Sequence, residues 1–297
     1  MSRRENSSLA RALAVALAGS ILLFSGACMC RLSVPSSVCL QRTTEGPLPG
    51  RALELCLVIP VVPPSPPVLI LYATGDGGWE GASKAVFQHL AERGYPVVGF
   101  SARDYLKDLR RDRTFISPDR MARDLDWIID SAKVQMSLPA GTPTILVGVS
   151  RGAEFMVAAA AQPSLQPRPA GAVALALTRE TDYVRNRPTS KRKASKMGSS
   201  RMESGQILSY VRLKEAIDIP IAVIQSTHDR YLPAAEASTL FGGDTSMRHF
   251  MAIEAKNHGF GGARDVMLQE LDNSLGWIES LMKQSVPPPA AAPSTRP

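Results

Sequence analysis

Short apolar segments alternate with amphipathic segments along most of this 297-residue chain. The apolar segments, which predict strands, are residues 53–62, 68–74, 97–100, 144–149, 172–177, 221–225 and 248–253. The segments with helical spacing are residues 83–93, 121–134, 153–161, 234–241 and 268–282. Apolar strands that are separated by helices predict a mostly parallel sheet with helices on both faces, an α/β architecture. Ligands of such sheets bind at the carboxyl ends of the strands.

Residues 1–27 have the pattern of a secretory signal peptide. A polar start with Arg3 and Arg4 is followed by an apolar run that ends in the small residues Gly26 and Ala27. Cleavage after Ala27 would leave Cys28 at the new N-terminus, where a lipoprotein carries its acyl chains. An uncleaved anchor is the alternative, because the run is barely long enough to span a bilayer. Each interpretation predicts export of the remaining chain to the periplasm.

Changes in composition divide the rest of the chain into a linker, one domain and a tail. Residues 28–52 are rich in Ser, Thr, Pro and Gly and predict a linker, whereas residues 53–284 carry the alternating pattern of one domain. Residues 183–206 are basic and lack an apolar period, which predicts a short lid insertion within that domain. Residues 285–297 are rich in Pro and Ala and predict a disordered tail.

Cysteine usage and charge restrict the possible ligands. Of the four cysteines, Cys39 and Cys56 are the expected disulfide in an oxidising compartment. No Cys-x-x-Cys pair or other metal-ligating group is visible, so we expect neither a metal nor another cofactor. The net charge of +7 is a mild basic bias without a nucleic-acid-binding motif, so nucleic acid is not an expected partner.

The motif with the most specific chemistry is Gly148-Val149-Ser150-Arg151-Gly152, which follows a predicted strand and precedes a predicted helix. This is the context of the nucleophile elbow in the α/β-hydrolase fold, where a sharp turn exposes a serine hydroxyl at the edge of the sheet. A tight turn in a non-catalytic α/β protein is the alternative. We therefore expect an α/β-hydrolase fold with Ser150 as the nucleophile.

A serine nucleophile needs a general base and an acid that orients the base. In α/β-hydrolases the chain order is nucleophile, acid and histidine. His258 lies in a glycine-rich turn after the last strand, and Asp229 follows the preceding strand, so these residues are the expected base and acid. The alternatives are a surface imidazole for His258 and a helix cap for Asp229.

Two backbone N–H groups are expected to form an oxyanion hole. Arg151, the residue after the nucleophile, supplies one, and either Asp76 or Gly77 supplies the other from the Gly-Asp-Gly-Gly-Trp loop after an earlier strand. The glycines of this loop let its backbone approach a substrate oxygen closely. A phosphate-binding loop is the competing interpretation, but this loop lacks the spacing of phosphate-binding motifs.

Basic segments follow two of the predicted strands at their carboxyl ends. We expect a rim for the substrate or its headgroup that contains Trp79, Arg110, Arg111 and Arg113, together with basic residues of the insertion. Such a rim would attract the chain to an anionic membrane surface. A solvated charged loop without a partner is the alternative.

These motifs resemble the AcvB/VirJ family of exported bacterial virulence-associated proteins. The resemblance covers roughly residues 68–180 and returns around residue 258. Its most specific elements are Gly75-Asp76-Gly77-Gly78-Trp79, Val97-Val98-Gly99-Phe100-Ser101, Tyr105, Arg113-Thr114, Ala122, Asp124-Leu125 and Gly148-Val149-Ser150-Arg151-Gly152-Ala153-Glu154. The resemblance implies a periplasmic serine hydrolase with an α/β-hydrolase fold. It also implies an aminoacylated anionic phospholipid, lysyl-phosphatidylglycerol, as the substrate, and a link to type IV secretion in some members.

The expected function is therefore hydrolysis of a small-molecule or lipid ester by an exported serine esterase. Two other functions are compatible with the same residues: a periplasmic binding or secretion-adaptor protein that keeps the fold, and a serine peptidase.

Overall fold

The computed structural model describes residues 38–48, 51–61, 67–111, 118–178 and 217–284. Of residues 38–48, 51–52 and 107–111 it describes the backbone alone. The predicted signal peptide with Cys28, the lid insertion, Arg113 and the C-terminal tail lie outside the described residues. No helix in the described part of the chain is both long enough and apolar enough to cross a membrane.

Eight strands and six helices are present among the described residues. The strands are β1 (Val38–Leu48), β2 (Arg51–Pro60), β3 (Leu69–Ala73), β4 (Val97–Phe100), β5 (Thr144–Val149), β6 (Gly171–Leu175), β7 (Ile221–Ser226) and β8 (Arg248–Ile253). The helices are α1 (Gly81–Glu92), α2 (Ala102–Arg111), α3 (Pro118–Gln135), α4 (Arg151–Ala160), α5 (Ala234–Phe241) and α6 (Arg264–Gln284). The predicted strands and helices are all found, with ends that shift by a few residues.

The strands form one sheet in the order β1-β2-β4-β3-β5-β6-β7-β8. From β4 to β8 all neighbouring strands are parallel, whereas β1 and β2 are antiparallel additions at one edge. The prediction of a mostly parallel α/β sheet is confirmed. The six parallel strands end at one edge, so the loops that follow β3, β5, β7 and β8 meet there.

The central strands of the sheet are buried on both faces. In β3, Leu69 and Leu71 belong to a core with α3 and α4, whereas Ile70 and Tyr72 belong to a second core with α1 and α6. Successive side chains of a strand point to opposite faces, so a strand between two cores must be apolar throughout. This explains why the central strands are continuous apolar runs without alternation.

The linker that the sequence predicts over residues 28–52 differs from the structure, because Val38–Leu48 forms strand β1. This strand pairs with β2 alone and lies at the edge of the sheet, with an irregularity in register between Glu45 and Leu48. Edge strands tolerate Gly and Pro because one of their sides needs no hydrogen-bond ladder. The composition that indicated a linker is therefore compatible with an edge strand.

The disulfide expected between Cys39 and Cys56 is wrong. The register of β1 and β2 places Cys39 opposite Ile59 and Cys56 opposite Arg42. Three strand positions of about 3.4 Å each separate the two cysteines along the ladder, so their Cα atoms lie roughly 10 Å or more apart. A disulfide needs a Cα separation below about 7 Å.

Helix α2 is not predicted by the sequence pattern, and a buried polar network joins it to α3. The Tyr105 hydroxyl donates to Asp124 Oδ2 at 2.7 Å, and Arg120 Nε donates to Asp124 Oδ1 at 2.7 Å. Burial, and then the neighbouring Asp124 carboxylate, raises the pKa of Tyr105, so its hydroxyl remains a donor. Two of these residues, Tyr105 and Asp124, are among those that carry the family resemblance.

The network is expected to stabilise the fold. Asp124→Ala should lower the free energy of unfolding by about 2 kcal/mol, because the buried Tyr105 hydroxyl loses its acceptor. Asp119→Ala on the same helix removes an exposed ion pair with Arg123. This substitution should change the free energy of unfolding by less than about 0.5 kcal/mol. Denaturant unfolding of both variants checks this, and equal destabilisation would contradict it.

Candidate active site

Ser150 occupies a strained turn between β5 and α4. Its φ of 55° and ψ of −118° lie outside the regions that L-residues normally adopt. The Ser150 N–H donates to Leu175 O at 2.8 Å, which fixes the turn beside the end of β6. Such backbone strain persists only where the surrounding structure imposes it, and it is concentrated at functional sites.

The two glycines of the motif are required by close backbone contacts. A Cβ atom on Gly148 would lie 2.3 Å from Gly152 O, and one on Gly152 would lie 2.2 Å from Ala73 O. Neither backbone atom can move away as a flexible side chain could. The first turn of α4 therefore packs directly against its own strand and against β3, which is the geometry that the motif predicts for a nucleophile elbow.

His258 and Asp229 are brought together from loops that follow neighbouring strands. His258 Nδ1 donates to Asp229 Oδ2 at 2.6 Å, and Asp229 is almost completely buried. The other carboxylate oxygen, Oδ1, accepts the N–H groups of Tyr231 at 2.8 Å and Leu232 at 3.4 Å. With its Nδ1 proton held in this way, the neutral imidazole has Nε2 as its acceptor nitrogen.

The carboxyl ends of three parallel strands position the predicted catalytic residues. Ser150 follows β5, Asp229 follows β7 and His258 follows β8. Because these strands run in the same direction in one sheet, all three residues lie at the same edge.

Gln225 is a site residue that the sequence reasoning missed. This buried amide at the end of β7 donates from Nε2 to Asp229 Oδ2 at 3.0 Å and accepts the Leu177 N–H at 2.8 Å. Its Nε2 also lies within hydrogen-bond distance of Leu177 O and Leu232 O. Gln225 thus ties the acid to the end of β6. An amide within an otherwise apolar strand was the available signal, since buried polar groups need partners.

The glycine-rich loop after β3 lies against Ser150. A Cβ on Gly75 would be 3.0 Å from Ser150 Cβ and 3.5 Å from Ser150 Oγ. The Gly75 N–H donates to Ser83 Oγ at 3.1 Å, and the Gly78 N–H donates to Gly75 O at 3.0 Å. The N–H groups of Asp76 and Gly77 donate to no acceptor within the described residues. Arg151 is the first residue of α4, a position where the N–H projects from the helix terminus.

Trp79 is half-buried beside the glycine-rich loop, and its place in a substrate rim stays a prediction. Its ring packs against Phe87 at a centroid distance of 5.0 Å and against Tyr72 at 6.1 Å, and it lies over Gly99 of β4. One part of the indole therefore packs against the core between the sheet and α1, where a large aromatic ring gains from burial.

The predicted basic rim falls mainly on residues whose side chains are not described. Arg110 and Arg111 lie at the end of α2, and Arg113 follows outside the described residues. The structure instead places the Arg103 guanidinium beside the glycine-rich loop, where a Cβ on Gly78 would lie 3.1 Å from Arg103 Nη2.

The other three histidines contact residues outside this arrangement. His89 pairs with Asp272 at 2.9 Å, His228 lies 3.2 Å from Glu254, and His249 stacks on Trp277. No group of three or more His, Cys, Asp or Glu side chains suited to a metal occurs in the part of the chain that the structure describes.

Residues 67–186 match the family described as bacterial virulence protein (VirJ). This match includes the glycine-rich loop, the Tyr105 and Asp124 positions and the nucleophile motif. The resemblance stated from the sequence motifs is confirmed over this segment. No curated protein matches the chain in sequence.

Solved structures with an α/β-hydrolase fold are similar to the chain at low sequence identity. An acylaminoacyl peptidase from Pyrococcus horikoshii gives a TM-score of 0.58 at 13% identity, over 82% of this chain and 42% of that chain. A cold-adapted esterase from an Arctic intertidal metagenomic library gives a TM-score of 0.55 at 14% identity, over 82% of this chain and 96% of that chain. Est1E from Butyrivibrio proteoclasticus gives a TM-score of 0.55 at 15% identity, over 84% of this chain and 99% of that chain.

The α/β-hydrolase fold is thus shown. The chain spans about two fifths of the length of the first peptidases that it matches, with 42% and 39% of their chains covered.

The elbow can be tested by adding a single methyl group. Gly148→Ala should prevent correct folding or greatly lower thermal stability, because its Cβ would lie 2.3 Å from a backbone oxygen. Gly141→Ala is the control, since a Cβ there meets nothing within 4 Å. Soluble yield and thermal unfolding distinguish the two variants. A Gly148→Ala protein as stable as the control would contradict the close packing.

Proposed function

We propose that this chain is an exported serine hydrolase that cleaves a carboxylic ester. Ser150 is the nucleophile, His258 the general base and Asp229 the acid that orients it. The observation that carries the proposal is the 2.6 Å hydrogen bond from His258 Nδ1 to the buried Asp229, at the sheet edge where Ser150 occupies a strained elbow. The match of residues 67–186 to the VirJ family supports the same conclusion.

The acylation step follows from the tautomer that Asp229 imposes. Neutral His258 accepts the Ser150 proton at Nε2 while Ser150 Oγ forms a bond to the ester carbonyl carbon. The Asp229 carboxylate stabilises the resulting imidazolium. The imidazolium then protonates the leaving alcohol as the carbon–oxygen bond breaks, which leaves an acyl group on Ser150. Water, activated by the same imidazole, cleaves the acyl-enzyme and restores Ser150.

The negative charge of the tetrahedral intermediate needs prealigned donors. We assign these donors to the Arg151 N–H at the start of α4 and to the N–H of Asp76 or Gly77 in the glycine-rich loop. A single oxyanion donor contributes roughly 10²- to 10³-fold to kcat in enzymes of this kind. The strained position of Ser150 immediately before α4, with Arg151 as the first residue of the helix, supports this assignment.

An ester substrate is favoured over a peptide by the extent of the structural matches. The chain covers 96% of the cold-adapted esterase but only 42% of the acylaminoacyl peptidase, which is a much longer protein. The described domain thus corresponds in extent to an esterase. The family resemblance favours an aminoacylated anionic phospholipid as the ester. Export to the periplasm, with an approach to an anionic membrane surface, would bring such a lipid within reach.

Loss of the nucleophile should abolish turnover. Purified Ser150→Ala should show at least about 10³-fold slower p-nitrophenyl ester hydrolysis and no covalent labelling by a fluorophosphonate, since no other group replaces Oγ. Ser280→Ala on α6 is the matched control and should retain both. Unchanged labelling of Ser150→Ala would refute the proposed nucleophile. If Ser150→Ala still rescued a deletion strain, the physiological role would be binding or secretion and not turnover.

The substrate class is tested in cells. Lipid extracts of a strain that lacks the gene should accumulate an aminoacylated phospholipid, and wild-type protein but not Ser150→Ala should return it to its normal level. An unchanged lipid profile, with active purified enzyme, would show that the ester belongs to another class. Turnover of peptide amides in place of esters would favour a peptidase.

A further inference from the structure

The Arg151 side chain connects the nucleophile elbow to the glycine-rich loop. Its guanidinium faces Asp76 with two nitrogens: Nη2 lies 3.1 Å from Oδ2, and Nε lies 3.3 Å from Oδ1. A third nitrogen, Nη1, lies 3.4 Å from Glu154 Oε2. The forked contact with Asp76 fixes both the distance and the orientation of the two planar groups.

The burial of the three residues shows which end of this network is anchored. The Glu154 side chain is only 1% exposed and the Arg151 side chain 12%, and both belong to the first turn of α4. The Asp76 side chain is 54% exposed and lies on the loop. Glu154 and α4 therefore hold the guanidinium in place, and the guanidinium in turn holds the loop.

The middle of the loop, Asp76 and Gly77, is closed as a turn by the hydrogen bond from the Gly78 N–H to Gly75 O at 3.0 Å. The start of the loop is fixed by the Gly75 N–H bond to Ser83 Oγ and by the Thr74 hydroxyl, which accepts the Ala102 N–H at 3.3 Å. At Gly77, by contrast, a Cβ would meet nothing within 4 Å. Glycines have the largest backbone freedom to lose, so a loop rich in them needs side-chain contacts to hold one conformation. The Asp76 carboxylate makes that contact.

We infer that Arg151 and Asp76 are positioning residues of the oxyanion hole, an inference that rests on the proposed function. The ion pair holds the Asp76–Gly77 backbone at the spacing from the Arg151 N–H that a carbonyl oxygen of the substrate requires. Arg151 then has two roles: its backbone N–H is an oxyanion donor, and its guanidinium holds the Asp76–Gly77 backbone in position. Glu154 keeps the guanidinium turned toward the loop.

The inference predicts a loss in kcat without a loss in substrate binding. With p-nitrophenyl acetate, Asp76→Asn should lower kcat about 10- to 100-fold and change KM by less than about threefold, because the donors matter most in the transition state. The melting temperature should stay within about 2 °C of wild type, since Asp76 is half exposed. Asp76→Glu keeps a carboxylate within reach of the guanidinium and should recover most of the lost kcat.

Asp119→Asn is the matched control, because Asp119 is also half exposed and also pairs with an arginine, Arg123, but on α3. It should leave kcat and KM at the wild-type values. Arg151→Lys keeps the charge beside Glu154 but loses the fork, so it should reproduce the Asp76→Asn defect. The double variant Asp76→Asn/Arg151→Lys should be no slower than the slower single variant, because both changes break one contact.

Three results would overturn the inference. These are a wild-type kcat for Asp76→Asn, a defect confined to KM, or a double variant whose losses multiply. If the wild-type protein showed no Ser150-dependent hydrolysis, the proposed function would fail together with the inference. An active wild-type enzyme with an equally active Asp76→Asn variant would overturn the inference alone.

Discussion

The close approach of α4 to the sheet is the constraint on which the rest of the site depends. Gly148 and Gly152 bring the first turn of the helix into contact with β3 and β5, at distances that exclude any side chain. That contact forces Ser150 into its strained backbone conformation and turns the start of α4 toward the loop after β3. The hydroxyl, a helix N-terminus and a glycine-rich loop thereby meet at one edge of the sheet, where loops from parallel strands converge. The polar contacts of the site are built around this packing.

Two polar networks complete the arrangement, and each runs from a buried anchor to a less buried residue in a loop. On one side, buried Gln225 holds Asp229, and Asp229 holds the ring of His258, which lies in a loop. On the other side, buried Glu154 holds Arg151, and Arg151 holds Asp76 of the glycine-rich loop. Loops that carry reacting groups need such supports, because precise geometry on a mobile loop otherwise costs conformational entropy at each turnover. The anchors lie at the ends of β7 and in α4, which are parts of the rigid core.

Much of this organisation follows from local patterns. The central strands were predictable because burial on both faces requires continuous apolar runs, and the elbow was predictable because its glycines and serine have a fixed spacing. Strand β1 was missed because an edge strand tolerates the Gly and Pro residues that also mark linkers. Helix α2 was missed because its charged residues hide the few apolar positions, Tyr105 and Leu106, that contact the core. The Cys39 pairing was wrong because disulfide geometry depends on strand register, which spacing along the chain does not contain.

The sequence by itself determined the α/β class, the three residues that we propose as nucleophile, acid and base, and the glycine-rich loop that lies against Ser150. These follow from short-range chemistry: side-chain periodicity, turn-forming glycines and the residue types that acyl transfer requires. Only the tertiary structure decided that Trp79 packs against the core, that Gln225 supports Asp229 and that Arg151 holds Asp76. The contact of Arg151 with Asp76 joins residues 75 positions apart. It exists because the order of strands in the sheet puts β3 beside β5, and no local pattern in the chain encodes that order.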